Sequence, residues 1–248
     1  MQTLRLHKVQ VYFVKITYVF GRTLMKIYDI DQLIQNELSN VARSIKAAQI
    51  SKIANKHYKL LPVDDEGFLE LCEIFLMKDD LRYFSIATLW FKKRKSIIEI
   101  TNFHVIERWL LAYINGWGTC DQFCYRILNP FIEKFPELYS YIEKWSQDEK
   151  TYIRRASVVC MLYSSQSFIV NYPIEKIMPI VKRLINDKEL HVQKGVGWLL
   201  KYAYISYPEE IASYLKDNVH MIPRVVFRYS LEKMPTDLKN SLIKIPYK

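Results

Sequence analysis

The sequence predicts an all-α fold, an α-solenoid of antiparallel helix pairs, and three observations carry that prediction. Only six glycines occur in 248 residues, so tight hairpin turns are scarce. Apolar residues recur at helical spacing along most of the chain, with little strict alternation. Prolines at 62, 130, 136, 173, 208, 223 and 235 fall between the periodic segments or at their first turns.

In chain order, residues 1–24 stand apart. They are rich in Tyr and Val and are broken by Arg5, Lys8, Lys15 and Arg22, so they read as a non-core N-terminal extension. From Met25 the run MKIYDIDQLIQNEL reads as the opening of a helical protein, and residues 25–248 are expected to form one helical-repeat domain. The helix over Tyr83–Phe91 ends in the basic run Lys92-Lys93-Arg94-Lys95, a solvated surface or a set of phosphate contacts. Further on, Cys120, Phe123, Cys124, Ile127 and Phe131 share a face. So do Ile153, Ala156, Cys160 and Tyr163. Ala156–Ile174 is uncharged for 19 residues, but its Ser/Gln and Asn-Tyr-Pro runs make it a helix end, a loop and a new helix rather than a membrane span. Residues 174–185 form the stripe Ile174, Ile177, Met178, Val181, Leu184 and Ile185, with Pro179 inside it as a possible kink. In 189–205 the buried face is Val192, Val196, Leu199, Leu200 and Ala203.

About a dozen helices of ten to seventeen residues with short connections suggest a HEAT-type solenoid on length and rhythm alone. A closed helical bundle is the alternative, because periodicity does not separate the two.

Net charge is +10, from 36 Lys and Arg against 26 Asp and Glu, which favours a polyanionic partner. Cys120 and Cys124 lie one turn apart, but no second pair or His cluster completes a zinc tetrad, so no metal is expected. All four cysteines (72, 120, 124, 160) read as reduced, packed thiols of a cytoplasmic protein. Nothing calls for more than a monomer.

Residues that leave the apolar stripes carry the functional signal. Lys194, Trp198 and Lys201 fall opposite the buried face of 189–205, a tryptophan among lysines that suits sugar or base stacking beside phosphates. Packing of Trp198 on a neighbouring repeat is the competing reading. Trp117 and Asp121 are four apart, so an aromatic ring and a carboxylate sit one above the other, a setting for a developing cation. Otherwise Asp121 is a solvated helix residue or a partner for Arg126, and Thr119 or Asp121 serves as a helix cap after the glycines. Four of the six glycines, at 116, 118, 195 and 197, flank the two tryptophans. Gly195 and Gly197, inside a helix, imply close backbone approach to another helix or to a ligand. Arg154 and Arg155 also leave their stripe. They could bind two phosphates, or one could face the site while the other pairs with Asp148 or Glu149.

These residues together resemble a known family, the HEAT-like (AlkD-like) DNA alkylation repair glycosylases, over roughly residues 45–233. The segments that carry the resemblance are DLRYFSIATLWFKKRK (80–95), WGTCDQFC (117–124), YIRRASVV (152–159) and HVQKGVGWLLKYA (191–203). The resemblance implies a concave basic face on duplex DNA and excision of cationic alkylated purines without metal or cofactor. Carried over by position, it implies that Asp121 is the catalytic carboxylate, that Trp117 and Trp198 flank the deoxyribose, and that Arg155 holds a phosphate. Arg154, Lys194 and Lys201 are the further DNA-binding candidates. The run Asn36–Gln49 departs from the family in having neither an aromatic residue nor a glycine. Two alternatives to a glycosylase are a non-catalytic binder of bent or branched DNA and a protein-interaction scaffold.

Overall fold

The computed structural model describes residues 21–41, 46–164 and 168–246; most of the 1–24 extension lies outside them. Among the described residues there are fourteen α-helices, of 6 to 19 residues, and one two-stranded ladder. The chain forms two compact units, one ending at Lys93 and one running from Arg94 to Lys248.

The first unit holds α1 (Gly21–Ser39), α2 (Ala47–His57), α3 (Asp65–Met77) and α4 (Leu81–Lys93). Helix α3 starts where the Asp64 carboxylate accepts from the Gly67 amide at 2.7 Å, a side-chain cap on an otherwise orphaned donor. Helix α4 is buried through Phe84, Ile86, Ala87, Trp90 and Phe91, and the Trp90 indole N–H donates to the Ala54 carbonyl of α2 at 2.8 Å. Arg82 pairs with Asp80 and donates to the carbonyls of Leu38 and Val41, which ties the end of α1 to the start of α4.

The second unit carries α5 (Phe103–Tyr113), α6 (Trp117–Phe123), α7 (Asn129–Lys134), α8 (Tyr139–Trp145) and α9 (Thr151–Val159). Strands β1 (Tyr163–Ser164) and β2 (Phe168–Ile169) follow, then α10 (Ile174–Leu184), α11 (Leu190–Ser206), α12 (Pro208–Asp217), α13 (Arg224–Ser230) and α14 (Thr236–Ile243). Helix α10 passes through Pro179 without ending. The segment between α9 and α10, expected as a loop, pairs Tyr163 with Ile169 and Ser164 with Phe168 in antiparallel register.

Hydrogen bonds between helices expose a repeat that the sequence does not display. In one row, Cys120 bonds to Tyr152 and Cys124 to Ala156, each 32 residues on; Asn129 bonds to Cys160, 31 on. Arg155 reaches His191, 36 on, and Lys201 reaches Glu232, 31 on. A second row links Lys144 to Glu107, Tyr139 to Lys176 and Ser146 to Arg183, each across 37 residues. Both partners advance together along the chain, so helices in a row run parallel. Two-helix units of about this length stacked on their neighbours are the construction of an α-solenoid.

Between α6 and α7 the helix widens to π-type bonding over Cys124–Leu128, where the Asn129 amide reaches the Cys124 carbonyl. Pro130 next along has no N–H to continue the α-ladder, and a π turn takes up the register change.

The expected buried face of α11 is present, with Val192, Val196, Leu199, Leu200 and Ala203 all fully buried. Its two glycines answer to other helices. A Cβ on Gly195 would lie 2.9 Å from Val158 Cγ2 of α9, and one on Gly197 would lie 2.7 Å from Tyr229 Cβ and 3.0 Å from the Val226 carbonyl of α13. At Gly197 the obstruction includes backbone, which does not rotate away. Gly197→Ala is therefore expected to force α11 and α13 apart and to cost about 1–3 kcal/mol, read as a lower melting temperature by circular dichroism. An unchanged melting temperature would mean that the two helices separate freely.

Candidate active site and nucleic-acid interface

Helix α6 begins at an extended Gly116, whose amide donates to Thr119 Oγ1 at 3.2 Å while that hydroxyl donates back to the Gly116 carbonyl at 2.9 Å. Thr119, not Asp121, thus does the capping work at this terminus. Trp117 is the first helical residue and stands 57% exposed. One turn on, Asp121 is only 9% exposed, between the fully buried Cys120 and Phe123 side of the helix and α9.

The carboxylate is held from α9. Arg155 Nε donates to Asp121 Oδ1 and Nη2 to Oδ2, both at 2.8 Å, a bidentate ion pair in which the arginine is 5% exposed. Its remaining nitrogen, Nη1, donates to the His191 carbonyl in the first turn of α11. Burial pulls the Arg155 guanidinium's pKa down, but hydrogen bonding and charge from Asp121 outweigh it and leave the group above its ordinary value. The arginine side chain lies against Gly195, where a Cβ would come within 3.4 Å of Nη1.

Arg154 turns the other way. Nε and Nη2 bind the Asp187 carboxylate at 2.6 and 3.1 Å, and Nη1 donates to the carbonyls of Asp148 and Glu149 at 2.9 Å. The adjacent arginines therefore split, one facing the candidate site and one clamping the start of α9 to the turn before α11. Residues 153–159 of α9 are buried on every side, which is tolerable for two arginines only because their donors are matched.

On α11, Trp198 is half-buried, about two turns beyond His191, with its ring set edge-on to Phe168 at a centroid distance of 4.8 Å. It both packs on a neighbour and keeps an exposed part. Lys201 is paired with Glu232 of the turn after α13, and Lys194 enters no ion pair among the described residues. Arg126, weighed above as a partner of Asp121, bonds instead to Gln122 at 2.6 Å and lies over the Tyr125 ring. Sequence reasoning missed Asp187, the His191 carbonyl and Phe168. The first two are partners 33 and 36 residues away, and the third sits in a loop that no helical stripe marks.

Thiol chemistry does not compete here. Burial pushes the Cys124 and Cys160 thiols well up, and both donate to backbone carbonyls. Among the described residues no group of His, Cys, Asp or Glu is arranged to hold a metal ion, and no helix is long and apolar enough to cross a membrane.

The fold and site define an all-α, HEAT-like repeat protein with a buried carboxylate–guanidinium pair set one turn below an exposed tryptophan. A model of the DNA alkylation repair enzyme family matches residues 38–234, and the chain belongs to that family. Among solved structures, AlkD2 from Streptococcus mutans superposes with a TM-score of 0.57 at 16% identity, covering 82% of this chain and 98% of its own. The protein smu.31 from Streptococcus mutans gives 0.58 at 15%, covering 85% and 100%. Pseudomonas fluorescens AlkC, an alkylpurine DNA glycosylase bound to DNA containing an abasic-site analogue, gives 0.56 at 15%, covering 92% and 66%. No curated protein sequence matches.

Proposed function

We propose that this protein is a DNA glycosylase that excises N3- and N7-alkylated purines from duplex DNA by hydrolysing the N-glycosidic bond, without metal or cofactor. One observation carries the reading: a carboxylate fixed at both oxygens, partly shielded from water, one turn below an exposed indole. An alkylated purine already bears positive charge, so its C1′–N9 bond breaks with the electron pair leaving on a neutral base. The sugar left behind has oxocarbenium character. Asp121, oriented by Arg155, stabilises that charge and orients the water that adds to C1′, releasing a proton and an abasic site. Trp117 and Trp198 offer aromatic faces to the deoxyribose. AlkC, of like fold, is a glycosylase bound to DNA, which supports DNA as the partner here.

Lys194 and Lys201 flank Trp198 and would meet phosphates, with Lys201 exchanging Glu232 for the backbone. Arg155, with every nitrogen bonded inside the protein, serves this face by holding Asp121, and Arg154 serves it by clamping the start of α9 to the turn before α11. Lys194→Ala is expected to lower the slope of log K against log salt by about one unit. An unaltered slope in a binding titration would remove Lys194 from the interface.

The test is release of free base from duplex DNA carrying N7-methylguanine, by wild type and by Asp121→Asn. Release by wild type alone supports a glycosylase centred on Asp121. A second reading, a non-catalytic binder of bent or branched DNA, has one observation in its favour. Both oxygens of Asp121 are already engaged by Arg155, so the pair could serve as structure alone. No release by either protein, with salt-sensitive binding retained, would select it.

A further inference from the structure

Helix α9 is shorter than its neighbours in the row. It ends at Val159 after nine residues, whereas α11 continues for seventeen and the helical run from Trp117 is unbroken, through the π turn, to Lys134. Among the described residues no helix follows Val159 until α10 begins at Ile174. The two short strands occupy that gap, β1 against the π turn and β2 against α11. Phe168 of β2 meets three rings there, all edge-on: Trp198 at 4.8 Å and 77°, Tyr202 at 5.6 Å and 61°, Tyr125 at 6.1 Å and 72°. Trp198 and Tyr202 are one turn apart on α11, so one ring braces both. Arg126, Lys201 and Lys233 lie over the outer rings of the cluster, Arg126 over Tyr125 and the two lysines over Tyr202.

None of these four aromatic residues is fully buried, and Phe168 is the one ring set against Trp198 among the described residues. A half-exposed indole can turn about two side-chain bonds, and an edge-to-face contact on one side limits that freedom.

We propose that Phe168 is a positioning residue for Trp198: the strand pair replaces the missing turns of α9 and sets the indole in the orientation in which it meets the sugar. The inference rests on the glycosylase reading for Trp198. It adds a residue outside the four segments that carry the family resemblance, contributed by the one non-helical element described.

A double-mutant cycle in the full-length protein tests it. Single-turnover release of N7-methylguanine is measured for wild type, Phe168→Ala, Trp198→Ala and the double variant, alongside thermal melting. An aromatic pair of this kind corresponds to roughly a three- to tenfold effect, so Phe168→Ala should slow release by that factor. On the Trp198→Ala background it should slow release no further, and Phe168→Tyr, which keeps the ring edge, should restore the rate. Additive losses, or a lower melting temperature with release unchanged, would overturn the proposal and leave Phe168 as packing. Should Phe168→Ala fail to fold, Phe168→Leu, which keeps volume but not the ring, takes its place. If wild type releases no base, the glycosylase reading fails by itself. The same cycle is then run on affinity for duplex DNA with an abasic-site analogue, where non-additivity supports the positioning role and additivity overturns it.

Discussion

Asp121→Asn is expected to abolish detectable base release while DNA affinity stays nearly unchanged. The amide keeps one oxygen for Arg155 and almost the same shape, while its NH2 meets the other guanidinium donor, so the fold loses stability but the surface presented to DNA keeps its form. It removes the negative charge, which matters most when the sugar becomes cationic. Removing a single preorganised electrostatic group from an active site costs about 10²–10³ in rate, and interactions made mainly in the transition state appear in rate rather than in binding. Single-turnover release and an equilibrium binding titration on the same duplex separate the two. Equal losses of rate and affinity would argue that Asp121 shapes the surface and does no chemistry.

The second large effect is on stability. Arg155→Ala should destabilise the fold by about 3–5 kcal/mol, the range seen when one partner of a buried ion pair is removed and the other is left uncompensated. Asp121 would keep its burial but lose both donors, and the His191 carbonyl would lose its donor as well. For a chain of this size the melting temperature should fall on the order of 10 °C. Arg155→Lys should rescue little, because an ammonium cannot match both carboxylate oxygens in the plane of the fork. A shift of only a degree or two would show that the pair is weakly coupled to folding. The same variant bears on the phosphate role that the family resemblance implies. With all its nitrogens bonded within the protein, Arg155→Ala should leave the salt slope of DNA binding unaltered. A fall of about one unit would show that the pair opens to a phosphate.

The two expectations bear on one design. A carboxylate shielded from water needs a fixed partner for both oxygens, and a cation fixed that firmly has no donor left for DNA. On this view the phosphates are left to the lysines of α11, and the arginine holds the carboxylate in place.

Much of this was written locally in the chain. Apolar spacing marked the helices because side chains three and four apart share a face in any α-helix, whatever surrounds it. The same rule placed Trp117 over Asp121 and put Lys194, Trp198 and Lys201 opposite the buried face of α11. The cost of glycine inside a helix flagged Gly195 and Gly197 as points of close approach. The structure identified what approaches them: Val158 and Arg155 at one, Tyr229 and Val226 at the other.

What only the tertiary structure decided is which distant residues became partners. Asp121 takes Arg155, 34 residues on, rather than the nearby Arg126, and Arg154 takes the carboxylate of Asp187, 33 on, rather than that of Asp148 or Glu149. Those choices depend on the register in which parallel helices of successive repeats lie together, a spacing of 31 to 37 residues that no single helix encodes. The ladder that carries Phe168 is decided at the same level. Two residues per strand have too little local preference to form alone, and they pair where α9 has ended, with Phe168 set against Trp198.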